Sequence, residues 1–415
     1  MESYIAEWFN LLFRWLHLIT GAAWIGTSFY FNWLNHNLRP PQRQETKDEG
    51  ISGELFAVHG GHFYQVSKYA GAPQQLPDTL HWFKWEAYFT WITGFSLLTI
   101  VYYWGARAFL IDPTVMEWDA TWQPIALSMG CLIGGWVVYD LLCKSPLGKK
   151  PVPFAVVGFS LMTVIAYGLT QVFAARAAYI HVGAMIGTMM AANVFFVIIP
   201  NQRKMVDAMT AGEAPDVTLG DKGAQRSLHN NYFTLPVLFI MVSNHFSMTT
   251  YGHEWNWAIL AALSLIGAGA RHYFNLKHKG QHKQWILPVA ALAMISLAFV
   301  TRPTPRPLPA KKAQVNGQAK LEKLTYKDIA PIIEKHCVSC HKEPPNNPLW
   351  PMPTPPKGIK FTEPKLVKQY AQQILAQAVH SKTMPLANQT KMTDEERAKL
   401  GQWIDGGALL DEEKP

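Results

Sequence analysis

The sequence predicts an all-α protein: an eight-span transmembrane helical bundle followed by a small helical domain near the C-terminus. Three observations carry this. Apolar residues make up 49% of the 415 residues and charged residues only 16%, against about 25% charged in a soluble domain. Eight long apolar runs fill the chain as far as Val300. Beyond them a proline-rich stretch leads into polar sequence with its own helix signals.

A helix needs roughly 20 apolar residues to cross about 30 Å of hydrocarbon. Lipid offers no partner to open backbone, so the spans must be helical. The runs are Trp8–Leu34, His81–Trp104, Pro124–Leu142, Val152–Phe173, Ala177–Ile199, Leu228–Phe246, Trp257–Phe274 and Trp285–Val300; the sixth and eighth are short. Sixteen Trp and fifteen Tyr fit residues that favour membrane interfaces. Loops 35–80, 143–151, 200–227 and 275–284 hold 14 Lys or Arg, and loops 105–123, 174–176 and 247–256 hold 2. The positive-inside rule puts the first set in the cytoplasm and both termini outside. Met1-Glu2-Ser3-Tyr4 has no basic n-region, so the first run is expected to stay as an anchor. The net charge of +8 comes from short loops between apolar runs, which argues against a nucleic-acid partner and for a lipid bilayer. The 46-residue first loop, with His59-Gly60-Gly61-His62, is long for a connector and points to function or ordered packing.

Thr301 to Pro309 carries proline at alternate positions and reads as a stiff polyproline II spacer. The domain plan is therefore 1–301 for the bundle, 302–323 for the linker and 324–415 for the C-terminal domain. In that domain Cys337-Val-Ser-Cys340-His341 is the C-x-x-C-H pattern of c-type haem attachment. Two thiols two residues apart reach both vinyl groups from one helical turn, and the adjacent His341 becomes the proximal ligand. A zinc site needs further ligands, and no third cysteine occurs there. Cys131 and Cys143 read as buried small hydrophobes. The sixth ligand is expected at Met384 in Thr383-Met384-Pro385, with Met352, Met392 and His380 as rivals; methionine opposite histidine raises the potential. Thr393-Asp-Glu-Glu396 is a capping box opening a last helix with the stripe Leu400, Trp403 and Ile404. Small cytochromes c of class I pack such a helix on the one before C-x-x-C-H, here Tyr326–His336. Haem c is attached on the outer face of the bacterial inner membrane, where the charge count independently puts this domain.

Ionisable residues inside spans are functional suspects. His17, His181 and His245 fall at the outer ends of spans; His81, His229 and His272 fall at the inner ends. His17, His181, His245 and His272 are candidates for binding a b-type haem or a metal, against the plainer role of interfacial or hydrogen-bonded core residues. Two polar groups mark the inner face. One is His81-Trp-Phe-Lys84-Trp-Glu86-Ala-Tyr88; the other is His229-Asn230-Asn231-Tyr232. Imidazoles, amides, an ammonium and aromatics together suit a flat anionic heterocycle, and they equally suit helix caps and an aromatic belt.

The sequence resembles the integral-membrane, cytochrome c-linked urate oxidases of bacteria through nearly its whole length. The resemblance rests on Arg14-Trp-Leu-His17-Leu-Ile-Thr-Gly-Ala-Ala-Trp24-Ile-Gly26, Val58-His59-Gly-Gly61, His81 to Tyr88, His181-Val-Gly-Ala184, His229-Asn-Asn-Tyr232-Thr-Leu-Pro236 and the C-terminal haem motif. It implies oxidation of urate to 5-hydroxyisourate, with electrons passing through haem c to a downstream cytochrome c or terminal oxidase and not directly to oxygen. With urate as the substrate, the polar cluster on the inner face is where it is expected to bind, as an anion against Lys84 and the Asn230–Asn231 amides. His229 or Glu86 would then take a proton. Two other functions remain open at this point: a quinol–cytochrome c oxidoreductase, and a membrane-tethered electron shuttle. An inner-face site would be separated from an outer haem by about 30 Å of hydrocarbon.

Overall fold

The computed structural model describes residues 2–73, 76–302, 312–315, 318–321, 324–350 and 352–411. Each predicted apolar run is helical over most of its length. The helices concerned are α1 (Glu2–Asn37), α2 (Trp85–Leu98), α3 (Trp122–Lys144), α4 (Pro151–Thr170), α5 (Ala175–Ala192), α6 (Ile199–Thr210), α7 (Val217–Ser243), α8 (Asn256–His278) and α9 (Ile286–Val300). Two bounds differ from expectation. α5 and α6 form one continuous helix through a wider π turn at Asn193–Ile198. α7 begins eleven residues earlier than its apolar run, because the polar stretch from Val217 is capped by Asp216, whose side chain accepts from the Thr218 N–H at 2.9 Å. Among the described residues, three helices are long and apolar enough to cross a membrane by length and composition: Trp122–Lys144, Pro151–Thr170 and Ala175–Thr210.

The all-α expectation is corrected in the first loop. Ile51–His59 (β1) and His62–Tyr69 (β2) form an antiparallel hairpin, paired from Ile51↔Tyr69 to His59↔His62. The turn is Gly60-Gly61, at φ 58° and 79°. Both central residues of a two-residue hairpin turn need positive φ, which only glycine adopts freely. A second short pair, Lys312–Val315 (β3) with Gln318–Leu321 (β4), lies between the bundle and the C-terminal domain. The expected polyproline spacer at 301–309 falls mostly outside the described residues.

α1 and α2 run antiparallel, with His17 beside Thr90 and Thr93 and Phe31 against Phe83. The bundle core lies where α3, α5, α7 and α8 meet, around Tyr179, Val182, Met185, Ile240 and Leu260. Two glycines permit the closest crossings. A Cβ on Gly183 would come within 2.6 Å of the Ile240 Cγ2, and one on Gly135 within 2.6 Å of the Met185 Cγ. Small residues at crossings let helix backbones approach closely.

The C-terminal domain has its own core of Ile329, Ile333, Val367, Leu400, Trp403 and Ile404. α10 (Tyr326–Ile333) packs on α11 (Asp394–Asp405), as the sequence predicts. Both open with reciprocal caps. Thr393 Oγ1 accepts from the Glu396 N–H at 3.2 Å, and Glu396 Oε2 accepts from the Thr393 N–H at 2.9 Å. The domain touches one end of the bundle. Leu386–Asn388 packs on the short helix Ala106–Phe109, and Ser247 Oγ donates to Gln377 Oε1 at 3.3 Å. That end is called proximal below, and the opposite end distal.

Candidate functional site

The C-x-x-C-H segment follows α10 on a π turn, Glu334–Val338. The extra residue in that turn brings Cys337 inward against the domain core, while Cys340 stays half-buried. Burial pushes the Cys337 thiol up to about 12 and raises Cys340 as well. His341 Nδ1 lies 2.9 Å from the Ile359 carbonyl, so it donates there and Nε2 keeps its lone pair. Its ring packs on Phe361 at 4.5 Å. A hydrogen-bonded far nitrogen is how metal-ligating histidines are oriented, so Cys337, Cys340 and His341 fit a covalent c-type haem. Met384, the expected second ligand, is 37% exposed. Its rival Met392 is packed into the core.

The Met384 loop is held by a residue that the sequence analysis passes over. Arg397 is buried on α11 and donates to the Ala378 carbonyl, to the Met384 carbonyl at 2.7 Å and to Asn388 Oδ1 at 3.0 Å. The signal was available, since Arg397 falls on the same helical stripe as Leu400 and Ile404.

Opposite it, Glu396 ties α11 to the haem-motif turn. It lies 3.0 Å from Lys335 Nζ and 3.1 Å from His336 Nε2. Desolvation works against ionisation there. The Thr393 N–H, His336 and Lys335 outweigh it and hold the carboxyl down to about 2. A depressed carboxylate stabilises above its unfolded pKa and loses that contribution as pH falls through the folded value. The C-terminal domain is therefore expected to lose stability from about pH 4.5 to about pH 2. Acid titration of a Glu396→Gln variant, followed by circular dichroism, should give a flatter profile across that window; an unchanged profile refutes the assignment.

In the bundle, His229 and Asn230 come together through two intermediaries. The Tyr139 hydroxyl lies 2.9 Å from His229 Nδ1 and accepts from Asn193 Nδ2 at 3.1 Å. Asn193 Nδ2 also donates to Asn230 Oδ1 at 2.8 Å, and Asn230 Nδ2 donates to the Met190 carbonyl at 3.0 Å. Phe154 stacks on the His229 ring at 4.7 Å. Arg226, also buried, donates to Asn193 Oδ1 at 3.3 Å and pairs with Asp140 at 2.7 Å. The π turn at Asn193 supplies the amide that joins α3 to α7. This network is closed on itself: its cation has a carboxylate, and both amides are used.

Lys84 and Glu86 sit apart from it. Lys84 caps the start of α2 with its ammonium 5.3 Å over the Trp85 ring, and Glu86 is half-buried in the first turn. Among the described residues no hydrogen bond, ion pair or ring contact joins either side chain to His229 or Asn230.

The four histidines considered for haem b or metal are spread out. His17 Nδ1 meets the Thr90 carbonyl at 3.0 Å and Thr93 Oγ1 at 3.1 Å. Its ring fills the space above Gly94, where a Cβ would come within 2.8 Å. His181 is fully buried, donates from Nδ1 to the Ala177 carbonyl at 2.7 Å, and leaves Nε2 without a partner between Tyr102 and Phe173. His245 is exposed at the proximal end of α7, and His272 bonds the Tyr232 hydroxyl at 2.6 Å near the distal end of α8. No ring of the four touches another, and among the described residues no three His, Cys, Asp or Glu group as a metal site. His181 and His17 both share with His341 an Nδ1 turned to a backbone carbonyl, and of the two only His181 is fully buried.

A second distal cluster lies across α7. Consecutive asparagines on a helix point about 100° apart, so Asn230 meets Asn193 and Asn231 faces α8. Arg271 Nε donates to Asn231 Oδ1 at 2.8 Å, and its guanidinium lies 4.0 Å over the Phe29 ring. One turn on, Asn32 Nδ2 donates to Asn275 Oδ1 at 3.0 Å. One turn further, the His36 and His278 rings are 6.0 Å apart. Positions 29, 32 and 36 of α1 thus face 271, 275 and 278 of α8 as three rungs between parallel helices. The sequence analysis missed Arg271, although an arginine within an apolar run is itself a signal.

These features define an arginine- and amide-rich helical bundle joined to a domain with a C-x-x-C-H turn. The family model described as Urate oxidase N-terminal matches residues 3–302, and the chain belongs to that family. No curated protein and no solved structure matches it.

Proposed function

We propose that the protein is a membrane-bound urate oxidase of the dehydrogenase type, which converts urate to 5-hydroxyisourate and delivers the electrons to haem c. The observation that carries this reading is the union, in one chain, of a Urate oxidase N-terminal region with a C-x-x-C-H turn whose histidine is held ready as a ligand. The reaction balances as urate plus water giving 5-hydroxyisourate, two protons and two electrons. A haem bound by Cys337, Cys340 and His341, with Met384 as the second ligand, supplies a one-electron acceptor. The chain's own work is to bind the anion, hold it away from bulk water and take up protons, a role for which His229 and Glu86 stand in the distal half.

In this reading all eight apolar helices cross the inner membrane and the class I-like cytochrome c domain lies on the periplasmic side. The electrons continue to a downstream cytochrome c or terminal oxidase. The His181 imidazole is the group best placed to serve a second, b-type haem. The test is anaerobic. Urate added to the oxidised, detergent-purified protein should reduce the haem c absorption bands, whereas allantoin should not. Reduction by a quinol with none by urate would move the protein to the quinol–cytochrome c oxidoreductases.

A further inference from the structure

Arg271 is 5% exposed and has no carboxylate partner among the described residues. A buried cation without an anion is costly, and such a group is retained where something else completes it. Its Nη2 has no hydrogen-bond acceptor. Neither have Asn231 Nδ2 and Asn275 Nδ2, on residues 4% and 6% exposed. The Asn231 amide is oriented by its bond to Arg271 Nε, which can only donate. These three orphaned groups are donors, gathered on adjoining faces of α7 and α8 with an aromatic ring alongside, and the next orphan along α8, His278 Nδ1, can donate or accept according to its tautomer. Native proteins leave few buried polar groups unpaired, and each exception requires a cause. Three donors and no orphaned acceptor among them call for a ligand that is anionic and rich in acceptors.

We propose that Arg271, Asn231 and Asn275 form the urate-binding site, with Phe29 beside it. The inference rests on the urate reading above and gives it a location. Urate is a flat monoanion carrying three carbonyl oxygens, which matches the charge and the donor-only character of the cradle. The site lies fifteen residues along α8 from its proximal start, or about 22 Å at 1.5 Å per residue. It is thus distal, beside the closed Asn193–Asn230 network and not within it. Lys84 plays no part in it.

Equilibrium dialysis of radiolabelled urate against the full-length protein, with any haem kept reduced so that urate is not consumed, tests the proposal. Wild type should bind urate more tightly than xanthine, and xanthine more tightly than hypoxanthine, following the number of carbonyls. Arg271→Gln should weaken urate on the order of 100-fold, and Asn231→Leu or Asn275→Leu about tenfold each. The loss in Asn275→Leu should be greater for urate than for hypoxanthine, which a merely structural role for Asn275 does not predict. If Arg271→Gln fails to fold, the two leucine variants decide by the same criterion. Unchanged urate binding in these variants overturns the site and leaves the urate reading standing. A wild type that binds no urate overturns both.

Discussion

On the proposed function, Gly252→Val should cut electron delivery from urate to the C-terminal domain while leaving both parts folded. Gly252 lies in the proximal turn between α7 and α8, directly beneath the segment that leads to Met384. A Cβ there would come within 2.6 Å of the Ser381 Cα, and also within 2.7 Å of the Ser247 carbonyl. A backbone atom cannot step aside as a side chain can, so the two surfaces must part. The partners they carry are Ser247 with Gln377 and Ala106–Phe109 with Leu386–Asn388. A misplacement of about 1 Å can cost on the order of 100-fold in a rate that depends on geometry. Stopped-flow reduction of haem c by urate should therefore slow by roughly that factor. The haem spectrum and the urate affinity should remain those of wild type. Unchanged reduction kinetics would mean that this contact is not the electron-transfer geometry.

Asp140→Ala should be the most damaging single truncation for stability. Arg226 is 3% exposed and stands 2.7 Å from the Asp140 carboxylate. Removing the carboxylate leaves a buried guanidinium with only the Asn193 amide, the Asp140 backbone carbonyl and the rings of Trp136 and Tyr139. Breaking a buried pair from one side costs about 3–5 kcal/mol, whereas replacing both partners by apolar residues is often neutral. The double variant Asp140→Ala with Arg226→Met should thus recover most of the loss in thermal unfolding midpoint. Lys144 also meets Asp140, at 2.6 Å, but its side chain is 68% exposed. An exposed pair of this kind contributes about 0–1 kcal/mol, so Lys144→Ala should be nearly silent. Equal midpoints for Asp140→Ala and Lys144→Ala would refute the argument.

The helices were legible because an apolar run of membrane length permits little else, and α11 because its capping box and stripe are both local. The proposed role of Cys337, Cys340 and His341 likewise rests on a local pattern, since the chemistry needs only five consecutive residues. The first-loop hairpin was missed, although Gly60-Gly61 between alternating apolar residues is a hairpin signal. The π turns that aim Asn193 and Cys337 have no comparable sequence signature. Pairing across helices was the least visible. His229 and Asn230 were rightly grouped, but the residues that join them are Tyr139 and Asn193, one on α3 and the other 37 positions before Asn230. Lys84 and Glu86 looked like members of the same face because they share a depth, and depth does not specify which neighbours a helix faces. Attention to histidines hid Arg271, whose burial without a carboxylate only the folded chain reveals.

The contact between the C-terminal domain and the bundle is small, and the one side-chain bond across it among the described residues is 3.3 Å long. A free protein with so slight an interface would seldom be found in place. Here the partner is on the same chain, and a short covalent connection gives an effective local concentration of order millimolar. Occupancy is then set by the tether and lifetime by the weak surface. Such a domain can meet the bundle, leave quickly, and offer the same face to another partner, so loose docking and fast turnover become the same property.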